Sequence, residues 1–141
     1  MKYRVFVLMG CMISMVCMGF AETGTLPEPV QQKIEKFFEQ LKKAEIQPAF
    51  ETIVQGSLIA TKIQQVQNLI NQTNNGISLY GPILSYAFFS SSNVEDVAVR
   101  AVYVSKNASY PMRWIFVFYK ASDAWVLISI EFDDNIEALF D

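Results

Sequence analysis

From Val30 onward, apolar residues recur at Val30, Ile34, Phe37, Phe38 and Leu41, the spacing of one face of a helix. Pro29 suits the first turn of that helix. Glu35, Lys36, Glu39, Lys42 and Lys43 fall mostly on its other side, as a solvated face over a packed stripe. A second helix is predicted in "IQPAFETIVQG", with Phe50, Ile53 and Val54 turned inward and Gly56-Ser57 ending or bending it. A third follows in "SLIATKIQQVQNLINQTNNG", where Ile59, Ile63, Val66, Leu69 and Ile70 keep helical spacing and Asn75-Gly76 is the stop signal. Its outer face is Gln and Asn, and no charged residue occurs from Ile63 to Val94. A helix and strand laid against a sheet account for that neutral span, and a contact surface is the alternative.

After Gly76 the pattern changes to a strand period. "ISLYGPILSYAFFSSS" reads as a strand interrupted early by Gly81-Pro82, with Ser90 to Asn93 as a turn. "VEDVAVRAVYVSKN" follows, with Val97, Val99, Ala101 and Tyr103 on one face. "MRWIFVFYK" and "AWVLISIEF" are a third and fourth strand joined at Ala121-Ser122-Asp123. Short loops between all four predict an antiparallel meander, since parallel neighbours need long crossovers. The expected architecture is α+β, a single domain over 28–141 in which about three N-terminal helices pack on one face of a curved four-stranded antiparallel sheet.

The last hairpin concentrates the aromatic residues, and parity divides it. Met112, Trp114, Phe116 and Phe118 point one way; Arg113, Ile115, Val117 and Tyr119 point the other. Turn length then decides what each meets. With a three-residue turn, Trp114, Phe116 and Phe118 meet Val126, Ile128 and Ile130, Arg113 comes opposite Glu131, and Tyr119 opposite Trp125. A two- or four-residue turn sets Trp114 against Glu131 and Phe116 against Ser129. The first register is expected, because it pairs the charges and gathers apolar residues, each favourable pair being worth about 0.2–1 kcal/mol. It leaves Tyr119, Trp125, Leu127 and Val117 beside the Arg113–Glu131 pair on a face too apolar to stay wholly in water, predicting a pocket, a partner site or a covered surface.

Composition adds an address. Lys2 and Arg4 precede an uninterrupted apolar run that ends in Gly19-Phe20-Ala21, the pattern of a secretory signal peptide over 1–21 cleaved after Ala21, with 22–27 as a leader. An uncleaved anchor over Val5 to Ala21 and a lipoprotein reading at Cys11 are the weaker alternatives. The expected location is periplasmic or secreted. Both cysteines, Cys11 and Cys17, fall in the removed part, so the remaining chain is held by its core without disulfides. Removing Lys2 and Arg4 from the 11 basic residues leaves 9 against 14 acidic ones, a formal charge of −5 that disfavours a nucleic-acid partner.

The chain has no histidine, which with the missing cysteines removes most nucleophile–base pairs and the commonest transition-metal sites. Glu131, near the end of an apolar strand, is the weak catalytic candidate as a general base, with an ion pair to Arg113 or Arg100 as its plainer role. Tyr80, Tyr86 and Tyr103 are candidate hydroxyl donors in a pocket, or half-buried packing residues. "EFDDNIEALFD" lacks the glycine and alternate-position spacing of a calcium loop, so Asp133 or Asp134 is expected to cap a last short helix packed through Ile136, Leu139 and Phe140. No metal or cofactor is expected.

Residues 28–141 resemble small secreted bacterial proteins of the nuclear transport factor two-like superfamily, on Tyr80-Gly81 opening the sheet, Arg100 and Tyr103 in the second strand, and Arg113 through Lys120 followed by Trp125 and Phe132-Asp133-Asp134. The resemblance implies N-terminal helices against a curved antiparallel sheet, in a superfamily of cavity isomerases and dehydratases and of binding or scaffolding members. Its enzymatic branches use Asp, Tyr or His in the cavity. This chain has no acidic residue between Glu51 and Glu95, and shows no hairpin between its second and third helices. Function does not transfer from fold alone.

The expected function is a non-catalytic module that binds a small apolar ligand or a protein partner on the sheet face through Tyr119, Trp125, Arg113, Glu131 and Leu127. The alternatives are an isomerase or lyase with Glu131 as base, and an interaction or inhibitor protein using an edge strand, where Pro82 marks "ISLYGPILSY" as the edge. A homodimer through the sheet and no membrane contact after cleavage complete the expectation.

Overall fold

The computed structural model describes residues 24–141. The segment expected to be a signal peptide, its expected cleavage site and both cysteines lie outside the described residues. Three helices, α1 (Glu28–Lys42), α2 (Ile46–Ile53) and α3 (Ile63–Tyr80), precede four strands, β1 (Ile83–Val94), β2 (Ala98–Asn107), β3 (Met112–Lys120) and β4 (Trp125–Asp133). The strands form one antiparallel sheet in the order β1-β2-β3-β4, an open meander in an α+β domain. Among the described residues no helix is long and apolar enough to cross a membrane.

The first helix follows its sequence pattern closely. Val30, Ile34, Phe37, Phe38 and Leu41 are all buried. Pro29 lies in the first turn, and the Pro27 carbonyl accepts from the Val30 and Gln31 amides in place of a side-chain cap. Phe37 and Phe38 meet Trp114 edge-on at 5.6 and 5.7 Å, so the helix is set into the sheet by aromatic contacts. The second helix buries Phe50 and Ile53 as expected, with Ala49 and the flanking Val54. Gly56, at φ +80°, turns the chain after it.

The third helix departs from its expected bounds at both ends. A 3₁₀ turn, Leu58–Thr61, buries Ile59, and α3 begins only at Ile63, whose side chain is 79% exposed although its spacing had placed it inward. The separate turn puts Ile59 and Ile63 on different helices, so their four-residue spacing no longer implies a shared face. At the other end the helix runs through Asn75-Gly76 to Tyr80, and the stretch "ISLY" read as strand is its last turn. Gly76 is helical because it is a close-approach position: a β-carbon there would lie 2.9 Å from Met112 Cε. The stop is Gly81, at φ +91°, a conformation glycine adopts without a side-chain penalty.

A test separates these two glycines. Gly76→Ala is expected to leave stability unchanged or raise it by up to about 1 kcal/mol, because alanine favours the helix and the flexible Met112 end can yield. Urea denaturation reads this, and a loss above about 1 kcal/mol would mean that Met112 is locked in place.

Two strand expectations and one helix expectation also need correction. First, Ser90 to Asn93 is not a turn: β1 continues to Val94, and the reversal is at Glu95–Val97, with Glu95 at φ +44°. Val97, placed inward by sequence, therefore lies in the exposed turn, while Val99, Ala101 and Tyr103 are buried as expected. Second, the expected last helix is a 3₁₀ turn, Glu137–Leu139, without a side-chain cap, and Phe140 is exposed. Third, the β3–β4 register follows the four-residue-turn alternative beside the turn and neither alternative beyond it. Lys120 pairs with Trp125 across a four-residue loop and Phe118 pairs with Leu127; beyond an irregularity, Phe116 pairs with Ile130 and Trp114 with Phe132. The extra residue is Ile128, left 50% exposed. A bulge of one residue shifts parity, so Trp125 and Leu127 before it and Ile130 and Phe132 after it all point inward.

Candidate functional site

The five residues read from sequence as a ligand surface do not come together. Trp125 and Leu127 are on the inner side, both buried in the core with the helices. The Lys33 ammonium donates to the Trp125 carbonyl at 2.7 Å, and that of Lys120 lies 5.7 Å from its ring centre. Tyr119, Arg113 and Glu131 stay on the outer face. Tyr119 is 39% exposed and opposes Val126 rather than Trp125; Glu131 is exposed opposite Ile115. Arg113 opposes Asp133, not Glu131, and grips its carboxylate through both Nε (3.0 Å) and a terminal nitrogen (2.5 Å).

That fork holds the Asp133 carboxyl below the usual carboxylate range; burial acts the other way, and the Asn135 amide adds to the lowering. The folded chain therefore binds this proton less readily than the unfolded one. Stability from the pair is present above about pH 4, the unfolded value, and lost as pH falls through the lower folded value. With Asp133 42% exposed, the effect is at most about 1 kcal/mol. Asp133→Asn is expected to flatten the stability profile below about pH 4, as read by denaturation at stepped pH; an unchanged slope rejects the pairing.

On the inner side, α1 and the β1–β2 end of the sheet border an open cavity of about 290 Å³. The strand period places Tyr86 and Phe88 of β1 on its floor, with Tyr103 of β2 beside them. Gln31 and Glu35, one turn apart on α1, form its upper wall, joined by a 2.8 Å hydrogen bond from the Gln31 amide to the Glu35 carboxylate. Leu26 and Thr25 of the leader close one side. The leader is held there by Ser91, whose hydroxyl donates to the Gly24 carbonyl.

The aromatic floor is rigidly braced. Tyr86 stacks on Phe38 with centres 4.8 Å apart, and Phe88 meets Tyr103 edge-on at 5.5 Å. Tyr103 is only 3% exposed, and its hydroxyl has no hydrogen-bond partner among the described residues. Burial, then the nearby Glu35 and Tyr86, pushes its pKa up to about 12, so the hydroxyl stays a proton donor. Burial and Glu39 raise the Tyr86 hydroxyl likewise. Tyr80, grouped with these two in sequence, is elsewhere: its hydroxyl donates to Asp134 Oδ2.

The sequence pattern singles out Tyr86 and Tyr103, but it places Glu35 on the solvated helix face and gives no role to Gln31. No local signal marks them, because which flank of α1 overhangs the sheet end is set by how the helix crosses the strands. Among the described residues no three His, Cys, Asp or Glu side chains gather as a metal site. Compared with family models, curated proteins and solved structures, the chain matches none of them.

Proposed function

We propose that this chain is a non-catalytic binding module for a small, largely apolar ligand, held in the cavity between α1 and the inner sheet face rather than around Tyr119 and Trp125. The observation that carries this reading is the aromatic floor of Tyr86, Phe88 and Tyr103, on which the Tyr103 hydroxyl makes no hydrogen bond to the described residues and opens into the cavity. A hydroxyl that opens into a cavity bonds to water there until a ligand with an acceptor replaces it. Glu131 lies on the opposite face, so a carboxylate base in this cavity would not be Glu131. Export to the periplasm or beyond belongs to the same proposal, as does a nuclear transport factor two-like arrangement. The coarse layout of helices before an open meander supports the latter, and a fold braced without cysteine over 22–141 is compatible with the former.

Benzyl alcohol, an aromatic ring with one hydroxyl, is a suitable probe. Titrated into isotope-labelled protein, it is expected to shift the amide resonances of Tyr86, Phe88 and Tyr103. Tyr103→Phe is expected to weaken binding by about 0.5–1.5 kcal/mol through the lost hydrogen bond. Shifts confined to Tyr119, Ile128 and Glu131 would move the site to the outer face and defeat the proposal.

A further inference from the structure

The cavity's charge is one-sided, and this narrows its occupant. Among the described residues, Glu35 is the one charged side chain in its lining, and no Lys or Arg contributes. The nearest basic residues of α1 are engaged elsewhere: Lys33 on the Trp125 carbonyl, Lys42 on Glu39 at 3.3 Å, and Lys36 along a separate depression with Thr52 and Gln55. On β2, Arg100 and Lys106 pair with Val117 and Ser85 in the outward-facing register. Glu39 is thus partly neutralised by Lys42, whereas Glu35 accepts only the neutral Gln31 amide and takes part in no salt bridge among the described residues. An anionic ligand would have to lose water beside that carboxylate with no cation to meet it.

The walls add a second preference of the same sign. Tyr86, Phe88 and Tyr103 offer aromatic rings, whose faces attract cations. Burial is the main cause of the rise of both tyrosine hydroxyls; Glu35 adds to it at Tyr103, and Glu39 more than Glu35 at Tyr86. The formal charge of −5 over 22–141 favours the approach of a cation from solution.

We propose that the ligand is an organic cation, an ammonium group carried on a small apolar body, with the charge between Glu35 and the aromatic rings and the body against Leu26 and Phe88. This rests on the cavity-binding reading above and deepens it. Tyr103 would donate to an oxygen on the same ligand, a use that leaves the cationic end free for Glu35.

The test compares benzyltrimethylammonium, benzyl alcohol and benzoate by amide shifts in the labelled protein, with Glu35→Gln beside the native chain. The glutamine keeps the size of the side chain and an acceptor for Gln31, so folding is preserved. The cation is expected to bind about tenfold more tightly than benzyl alcohol, with benzoate weakest. Glu35→Gln is expected to remove most of that tenfold advantage while leaving benzyl alcohol unchanged, and added salt is expected to weaken the cation alone. Equal affinity for the cation and the alcohol, or an advantage that survives Glu35→Gln, overturns the cation proposal while the cavity reading stands. If none of the three probes shifts Tyr86, Phe88 or Tyr103, both fall.

Discussion

Trp114→Ala is expected to cost about 3–5 kcal/mol, enough to leave much of the protein unfolded at ordinary temperature. The side chain is fully buried between α1 and the sheet. It meets Phe37 and Phe38 edge-on and lies 4.6 Å from Phe132, so truncation opens a cavity where α1, β3 and β4 converge. A polar chain adds to the loss. Trp114 Nε1 donates to Ser105 Oγ at 2.9 Å, the Ser105 hydroxyl donates to Asn107 Oδ1 at 2.8 Å, and Asn107 Nδ2 donates to the Gly81 carbonyl at 2.9 Å. Trp114→Phe retains most of the packing but removes the indole donor, and is expected to cost about 1–3 kcal/mol, mostly from the missing bond. Urea midpoints of the two variants separate packing from hydrogen bonding. If both lose the same amount, the polar chain dominates and the cavity argument is wrong.

At the other end of that chain, Gly81→Ala is expected to cost about 3 kcal/mol or more, from a backbone region that is close to glycine-only and from direct overlap. Gly81 has φ +91° and ψ 172°, and an added β-carbon would stand 2.7 Å from Ala108 Cβ and 3.3 Å from Ala108 N. Nothing there is a flexible side-chain end. Ala108 is itself fixed, its amide donating to the Pro82 carbonyl and that of Ser109 to Tyr80. Relief would require pulling the β2–β3 loop off the end of α3, which also strains the Asn107 bond to the Gly81 carbonyl. Because the Trp114 and Gly81 substitutions share this chain, their combined cost is expected to fall short of the sum. A Gly81→Ala variant as stable as Gly76→Ala would show that the turn can relax, and would remove Gly81 as the stop of α3.

Much of the fold was readable because it depends on local periodicity. The α1 stripe, the inward residues of β2 and the whole of β3 could be read, since each element has one clear apolar face and one period. The meander followed from loop length alone. The candidate site was less readable. Tyr86 and Tyr103 were named for their hydroxyls, but the sequence offered no ground for preferring them to Tyr80, which instead meets Asp134. Trp125 and Leu127 were assigned outward by carrying one register along the strand. The phase change was visible, with apolar residues at 125 and 127 and then at 130 and 132, but its meaning was not. Either a bulge or a mixed face would write the same pattern.

By itself, then, the sequence determined the class and order of the elements, the inward faces of α1, β2 and β3, and the absence of histidine and of any cysteine after residue 17, which limits the chemistry. These are properties of near neighbours along the chain. The tertiary structure alone decided that α3 passes through Gly76 and stops at Gly81, that Ile128 is extruded so Trp125 can enter the core, and that Glu35 overhangs the rings of Tyr86, Phe88 and Tyr103. Each of these depends on residues far apart in sequence meeting in space: Gly76 with Met112, Leu127 with Phe118, Glu35 with β1 and β2. A local pattern limits which faces can be buried, but only the partner that arrives selects among them.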